Sequence, residues 1–258
     1  MPADSDAPAP VIGLIVPPAA GQVPPEPPAL YPRGVRFAAR GLGLMKMTVE
    51  GYSEAVERVC RLARELREAE GAQAICLMGT SLSFFRGGAF NNELVEMLHE
   101  ASEVPATTMS HAVCDALSLL GARRIAVGTA YDEEVNRRLA DFLSLRGFTV
   151  CAMEGMGLVD IDDVLAITPD KVTALGRRAT TAAGGMADAL FVSCGGLPAL
   201  HLADVLEEEI GMPVVASSTA GAWGAVRLLG HSGAAPALGR LGRISAQHPP
   251  AAAALAGD

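Results

Sequence analysis

Aromatic side chains make up only 4% of this 258-residue chain, with one tryptophan and three tyrosines. A core so poor in rings must be aliphatic, and abundant small residues, 28 of them glycine, allow its elements to pack closely. Alternating α/β layers suit that balance better than a sandwich or barrel rich in aromatics. Positive charge is also scarce: 20 Lys and Arg face 29 Asp and Glu, a net charge of −9. That argues against nucleic acid as a partner, because phosphates call for a basic face. No run of about eighteen uninterrupted apolar residues occurs, so no membrane partner is expected. The opening MPADSDAPAP lacks the basic and apolar regions of a secretory signal. Five cysteines (Cys60, Cys76, Cys114, Cys151, Cys194) are scattered without CxxC or Cys/His spacing. Neither a disulfide framework nor a metal site is signalled, and a cytoplasmic chain with reduced thiols is expected.

What is present reads as an interrupted series of strands and helices. Residues 1–10 read as a disordered tail and 231–258 as a flexible one. The run Val11 to Val16 predicts a strand stopped by Pro17-Pro18, followed by a proline-rich loop through Pro32. Val49, Tyr52, Val56, Val59, Leu62, Ala63 and Leu66 recur at threes and fours, predicting one helix from Thr48 to Ala69 with Gly71 as its C-cap. Beyond it the chain repeats itself. ADALFVSCGGL (Ala187 to Leu197) mirrors AQAICLMGTSL (Ala72 to Leu82), and the stretch from Met212 to Gly230 echoes Val104 to Gly121. The expected fold is α/β, with two pseudo-symmetric parallel-sheet halves (11–121 and 122–230) and two βα units repeated in each. The site would lie in the cleft between them.

In such sheets ligands sit beyond the carboxyl ends of the strands. Five turns there are unusual: Pro17 to Gly21, Gly79-Thr80-Ser81, Thr129-Ala130-Tyr131, Ser193 to Gly196, and Ser217-Ser218-Thr219. Hydroxyls and glycines at helix starts gather donors that hold anions. Cys194 is the sharpest single residue. A thiol at a helix N-terminus is activated toward thiolate, whereas a buried structural cysteine has no reactive role; position alone leaves both readings open. Thr80 and Ser81 read equally as an N-cap pair, and Tyr131 as a donor or as packing. The five histidines show no ligand spacing, and no GxGxxG or GxxxxGK[ST] nucleotide motif occurs.

Five segments, in order, carry a family likeness: IVPPAAG (Ile15 to Gly21), GLGL (Gly41 to Leu44), LMGTSLSF (Leu77 to Phe84), TAYDEEVN (Thr129 to Asn136) and SCGGL (Ser193 to Leu197). By these the chain resembles the arylmalonate decarboxylase family of the aspartate/glutamate racemase superfamily, from about Val11 to Leu229. The resemblance implies a cofactor-independent carboxy-lyase acting on a small dicarboxylate of the α-aryl or α-alkenyl malonate type. It implies that Cys194 donates the proton and that Thr80, Ser81, Tyr131 and the Gly195 N–H form a dioxyanion hole. Pro17, Pro18, Leu44, Met47, Gly79, Ile161, Val164 and Gly196 would shape the substrate pocket. Met47 stands where a smaller residue is usual, and MEGMGLVDIDD (Met153 to Asp163) departs from the family pattern. The superfamily's racemases and cis-trans isomerases, the alternative reading, place one cysteine in each half; here Gly79 occupies the first-half position. One chain supplies both halves of the cleft, so a monomer suffices.

Overall fold

The computed structural model describes residues 8–250. Strands β1 (Val11–Val16), β3 (Ala72–Leu77), β5 (Arg124–Thr129) and β7 (Ala189–Ser193) are buried almost throughout. They are the near-continuous apolar runs that a parallel sheet covered on both faces requires. Each half adds two strands: β2 (Arg36–Gly41) and β4 (Ala106–Thr108) in the first, β6 (Thr149–Gly155) and β8 (Val214–Ala216) in the second. The sheets run β2-β1-β3-β4 and β6-β5-β7-β8, with every pairing parallel. Identical strand order in both bears out the internal duplication, but each half has four strands where two βα units were expected. The extra β2 and β6 lie at sheet edges and are partly exposed, so their sequences lack an unbroken apolar run.

Two further expectations are corrected. The proline-rich loop contains helix α1 (Glu26–Leu30); its prolines fall in the first turn, where a missing N–H removes no intrahelical bond. The single helix from Thr48 to Ala69 is two, α2 (Val49–Val56) and α3 (Val59–Glu70). Thr48 caps α2 by accepting from the Gly51 N–H at 3.3 Å. Gly71 closes α3 in the left-handed region, φ 67°, as expected.

The two halves are joined at several places, three of which bear on the cleft. Helix α6 (Met109–Leu119) of the first packs on α11 (Ser217–Arg227) of the second. Phe84, on α4 (Thr80–Phe84), meets Tyr131 edge-on at 6.1 Å and Phe142, on α7 (Glu133–Leu145), at 5.9 Å. The loops after β2 and β6 form an antiparallel bridge at Lys46 and Asp160. There Met47 N–H donates to Val159 O at 2.8 Å and Ile161 N–H to Met45 O at 3.2 Å.

The tails differ from expectation where the structure describes them. A 3₁₀ turn (Pro236–Leu238) and helix α12 (Gly239–Gln247) follow Gly230. Leu238 and Leu241 are buried, Trp223 Nε1–H donates to Ser245 Oγ at 2.8 Å, and Arg240 N–H donates to the buried Glu207 carboxylate at 2.8 Å. Residues 236–247 are therefore part of the fold, while 251–258 lie outside the described residues. In the N-terminal tail, 1–7 lie outside them too, and Pro10 O accepts from Arg36 N–H at 2.8 Å. Deleting 231–258 uncovers Trp223 and removes two buried leucines, each contributing about 1.5–3 kcal/mol. Thermal unfolding of the truncated chain is expected to fall by roughly 6 °C or more, at about 2–4 °C per kcal/mol for a chain of this size.

Candidate active site

The third strand of each half ends in a turn, and the two turns meet across the cleft. Gly79 follows β3 and Cys194 follows β7 at the equivalent position. A Cβ on Gly195 would lie 2.8 Å from Met109 Cε and 3.1 Å from the Met78 carbonyl oxygen. Glycine leaves room for this approach, and a side chain here would displace Met109 and crowd the Met78 carbonyl. Gly79 is under no such pressure: a Cβ there would meet Leu82 Cβ at 3.4 Å and Pro17 Cγ at 3.5 Å, ordinary contacts.

Between the turns lies a cavity of about 470 Å³, within the range of small-molecule sites. Cys194, Thr80, Ser81, Tyr131 and Gly195 all line it, as do Pro17, Pro18, Leu44, Met47, Gly79, Ile161, Val164 and Gly196. All thirteen candidate site residues are thus brought to one place. Cys76 is buried inside β3 and His111 hydrogen-bonds Asn92 at 3.1 Å; neither lines the cavity, so neither faces Cys194 as a second base. Among the described residues no group of His, Cys, Asp and Glu is arranged to hold a metal ion.

Cys194 is 7% exposed and has φ 140°, a left-handed value unusual for a residue with a side chain. Such strain concentrates at functional sites. No helix begins at Cys194; the chain turns through Gly195 to Pro198, and the next helix, α10 (Leu202–Ile210), follows only after that. The expectation of a thiol activated by a helix N-terminus is therefore overturned. Burial pushes the thiol up to about 11, softened by the Gly196 N–H, the Tyr131 hydroxyl and the Leu197 N–H. At neutral pH the sulfur keeps its proton, as an acid must. The Gly196 and Leu197 N–H groups stand ready to receive the thiolate once the proton has left.

The other polar groups are also buried. Tyr131 is 1% exposed, and burial raises its phenol well above the ordinary value, so it remains a donor. Its oxygen accepts from Ser193 Oγ–H at 3.3 Å. Thr80 opens α4, with Ser81 next to it; both are buried. Much of the remaining lining is apolar. Pro17, Pro18, Leu44, Met47, Ile161 and Val164 contribute aliphatic surface, and the prolines have no N–H to offer.

Several lining residues were not foreseen. Met78, Met109, Leu165, Ile167, Pro169, Pro198 and Gln22 to Glu26 also line the cavity. Tyr52 had been read only as one of the apolar positions of a helix, yet its buried, unpartnered hydroxyl stands beside Ser81. No periodicity reveals this, since Tyr52 shares the buried core face of α2 with Ala55 and Val56.

Two equivalent α/β halves, with strand-end turns enclosing a buried thiol, define a racemase-like α/β enzyme of the aspartate/glutamate racemase superfamily. The sequence profile of arylmalonate decarboxylase matches residues 12–242. Arylmalonate decarboxylase of Bordetella bronchiseptica is 45% identical over 233 residues, spanning 90% of this chain and 96% of that protein. Maleate isomerase of Nocardia farcinica (strain IFM 10152) is 29% identical, spanning 89% and 94%. A liganded arylmalonate decarboxylase carrying a glycine-to-cysteine and a cysteine-to-serine exchange superposes with TM-score 0.86 at 44% identity, covering 90% of this chain and 98% of that one. The chain belongs to the arylmalonate decarboxylase family.

Because burial withholds ionisation, Cys194 is expected to resist alkylation by iodoacetamide at pH 7–8. Its rate should rise about tenfold per pH unit toward pH 11. Site-resolved mass spectrometry checks this against the half-buried Cys60 and Cys151; an upper plateau near pH 8 would contradict it.

Proposed function

We propose that the chain is a cofactor-independent carboxy-lyase that converts α-aryl or α-alkenyl malonates to one enantiomer of the monocarboxylic acid. The observation that carries this reading is the one-sidedness of the site: a buried, protonated thiol on one face and Gly79 on the other. A racemase needs a base opposite its acid, and glycine supplies none. The racemase or isomerase alternative is disfavoured on that ground.

The reaction then follows from the lining. One malonate carboxylate is held by Thr80, Ser81, Tyr131 and the Gly195 N–H. The other faces Pro17, Leu44, Met47, Ile161 and Val164, where it has no donors and is destabilised relative to neutral CO2. Heterolysis of the carbon–carboxylate bond releases CO2 and leaves its electron pair on the α-carbon. The resulting enediolate places negative charge on the two oxygens held by the hydroxyl cluster. Cys194 gives its proton to the α-carbon from its own side. The thiolate, supported by the Gly196 and Leu197 N–H groups, regains a proton from solvent. One chain supplies every group, so the monomer is the competent unit. The free cysteines support a reducing, cytoplasmic setting. Among the described residues no helix is long and apolar enough to cross a membrane.

Phenylmalonate is expected to release CO2 with full activity in the presence of a chelator. Cys194→Ala should lower kcat by about 10²–10⁴-fold, the usual contribution of a positioned proton donor. Wild-type turnover in that variant, measured by CO2 release, would sink the assignment. Gly79→Cys should fold, since its Cβ fits, and place a second thiol on the opposite face. Exchange of the product α-hydrogen in D2O, absent from the wild type, is expected to appear in it by NMR.

A further inference from the structure

Thr80 is assigned to hold a carboxylate, yet in the structure its hydroxyl is engaged elsewhere. Its Oγ1 lies 2.8 Å from Ser217 Oγ and 3.4 Å from Met109 Sδ. Ser217 is wholly buried at the start of α11, and its Oγ also accepts from the backbone N–H of Cys194 at 3.3 Å. One hydroxyl therefore links the carboxylate-binding turn of the first half to the thiol-bearing turn of the second.

The duplication gives this contact a counterpart. Met109 opens α6 directly after β4, as Ser217 opens α11 directly after β8. Each reaches across to the other half's turn: Ser217 to Thr80, and Met109 to Gly195, against which its methyl packs. The polar member of the pair reaches the Thr80 hydroxyl, and the apolar member packs against the glycine after Cys194.

As the structure stands, the Thr80 hydroxyl donates to Ser217 Oγ. The Cys194 N–H can only donate, so it occupies an acceptor site of Ser217 Oγ. Ser217 keeps one proton, and Thr80 Oγ1 lies at short hydrogen-bonding distance from it. When a carboxylate enters and draws the Thr80 proton toward itself, Thr80 Oγ1 is left as an acceptor, and Ser217 is placed to fill it. The chain then runs Cys194 N–H to Ser217, Ser217 to Thr80, Thr80 to carboxylate, all in one sense, which strengthens each member. Without Ser217 the Thr80 rotor has only the Met109 sulfur, a weak acceptor.

Resting on the decarboxylase reading, we infer that Ser217 is a positioning residue: by donating to Thr80 it turns the threonine hydroxyl toward the substrate carboxylate and strengthens that bond as charge develops.

The test is a double-mutant cycle on the full-length protein. Ser217→Ala is expected to lower kcat for phenylmalonate about 10- to 100-fold with thermal unfolding little changed. Thr80→Val should lower it by about 10²–10³-fold, as loss of one such donor does. In the Thr80→Val background, Ser217→Ala should cost less than a further twofold. Wild-type kcat in Ser217→Ala overturns the inference, and so does a loss that multiplies in full in the double variant, because Ser217 would then act independently of Thr80. If the alanine variant does not fold, Ser217→Cys, similar in shape but a weak donor, must show the same loss and the same lack of additivity. A second arm does not require turnover. The Kd for phenylacetate, by calorimetry, should rise about tenfold in Ser217→Ala and no further in the double variant; an unchanged Kd overturns the inference. Inactivity of the wild type on every malonate, with this binding pattern intact, would remove the decarboxylase reading and leave the positioning role standing.

Discussion

The desolvation of Cys194 is the constraint on which the rest of the site depends. A thiol in water would be a modest acid near neutrality and would share its proton with solvent on either face of a carbanion. Burial does two things to it. It keeps the proton on sulfur, and it excludes water that would compete to protonate the enediolate. The surroundings satisfy both demands at once. Gly195 and Gly196 carry no side chains that would fill the cleft, the half-to-half contact seals it from below, and the Gly196 and Leu197 N–H groups face the sulfur. A helix terminus at this point would favour the thiolate and so weaken the acid. In that light, the turn that separates Cys194 from α10 suits a proton donor better than the expected cap would.

Much of the architecture was legible because it is written twice. The matching pattern of an apolar run and a small-residue turn in Ala72–Leu82 and Ala187–Leu197 revealed the pseudo-symmetry, and it set Gly79 opposite Cys194 in the sequence itself. The buried strands were readable as apolar runs. The edge strands β2 and β6 were not, since half-exposed RFAARG and TVCAMEG carry no uniform pattern. Helix α12 was hidden for another reason. Its small, mixed composition resembles a linker, and only the covered Trp223 and the buried Glu207 carboxylate give it a place to dock.

The site itself was legible as a set of residues more than as an environment. All thirteen candidates reach the cavity, because strand-end turns in a parallel sheet converge whatever their side chains. The state of the thiol could not be read, since its burial depends on Met109, Met78 and other residues distant in sequence. Tyr52 and Ser217 illustrate the same limit. One looks like core periodicity and the other like an ordinary helix start, and each acquires meaning only from what the opposite half brings to it.

The bridge between the loops after β2 and β6 bears on how such a pocket can diversify. Its bonds are made by main-chain groups of Met45, Met47, Val159 and Ile161, so the closure of the cavity does not depend on which side chains these positions carry. Met47 and Ile161 nevertheless point their side chains into the cavity wall. Residues that set the size of the pocket are thus uncoupled from the bonds that hold it shut. Selection can resize the compartment one residue at a time without loosening the closure.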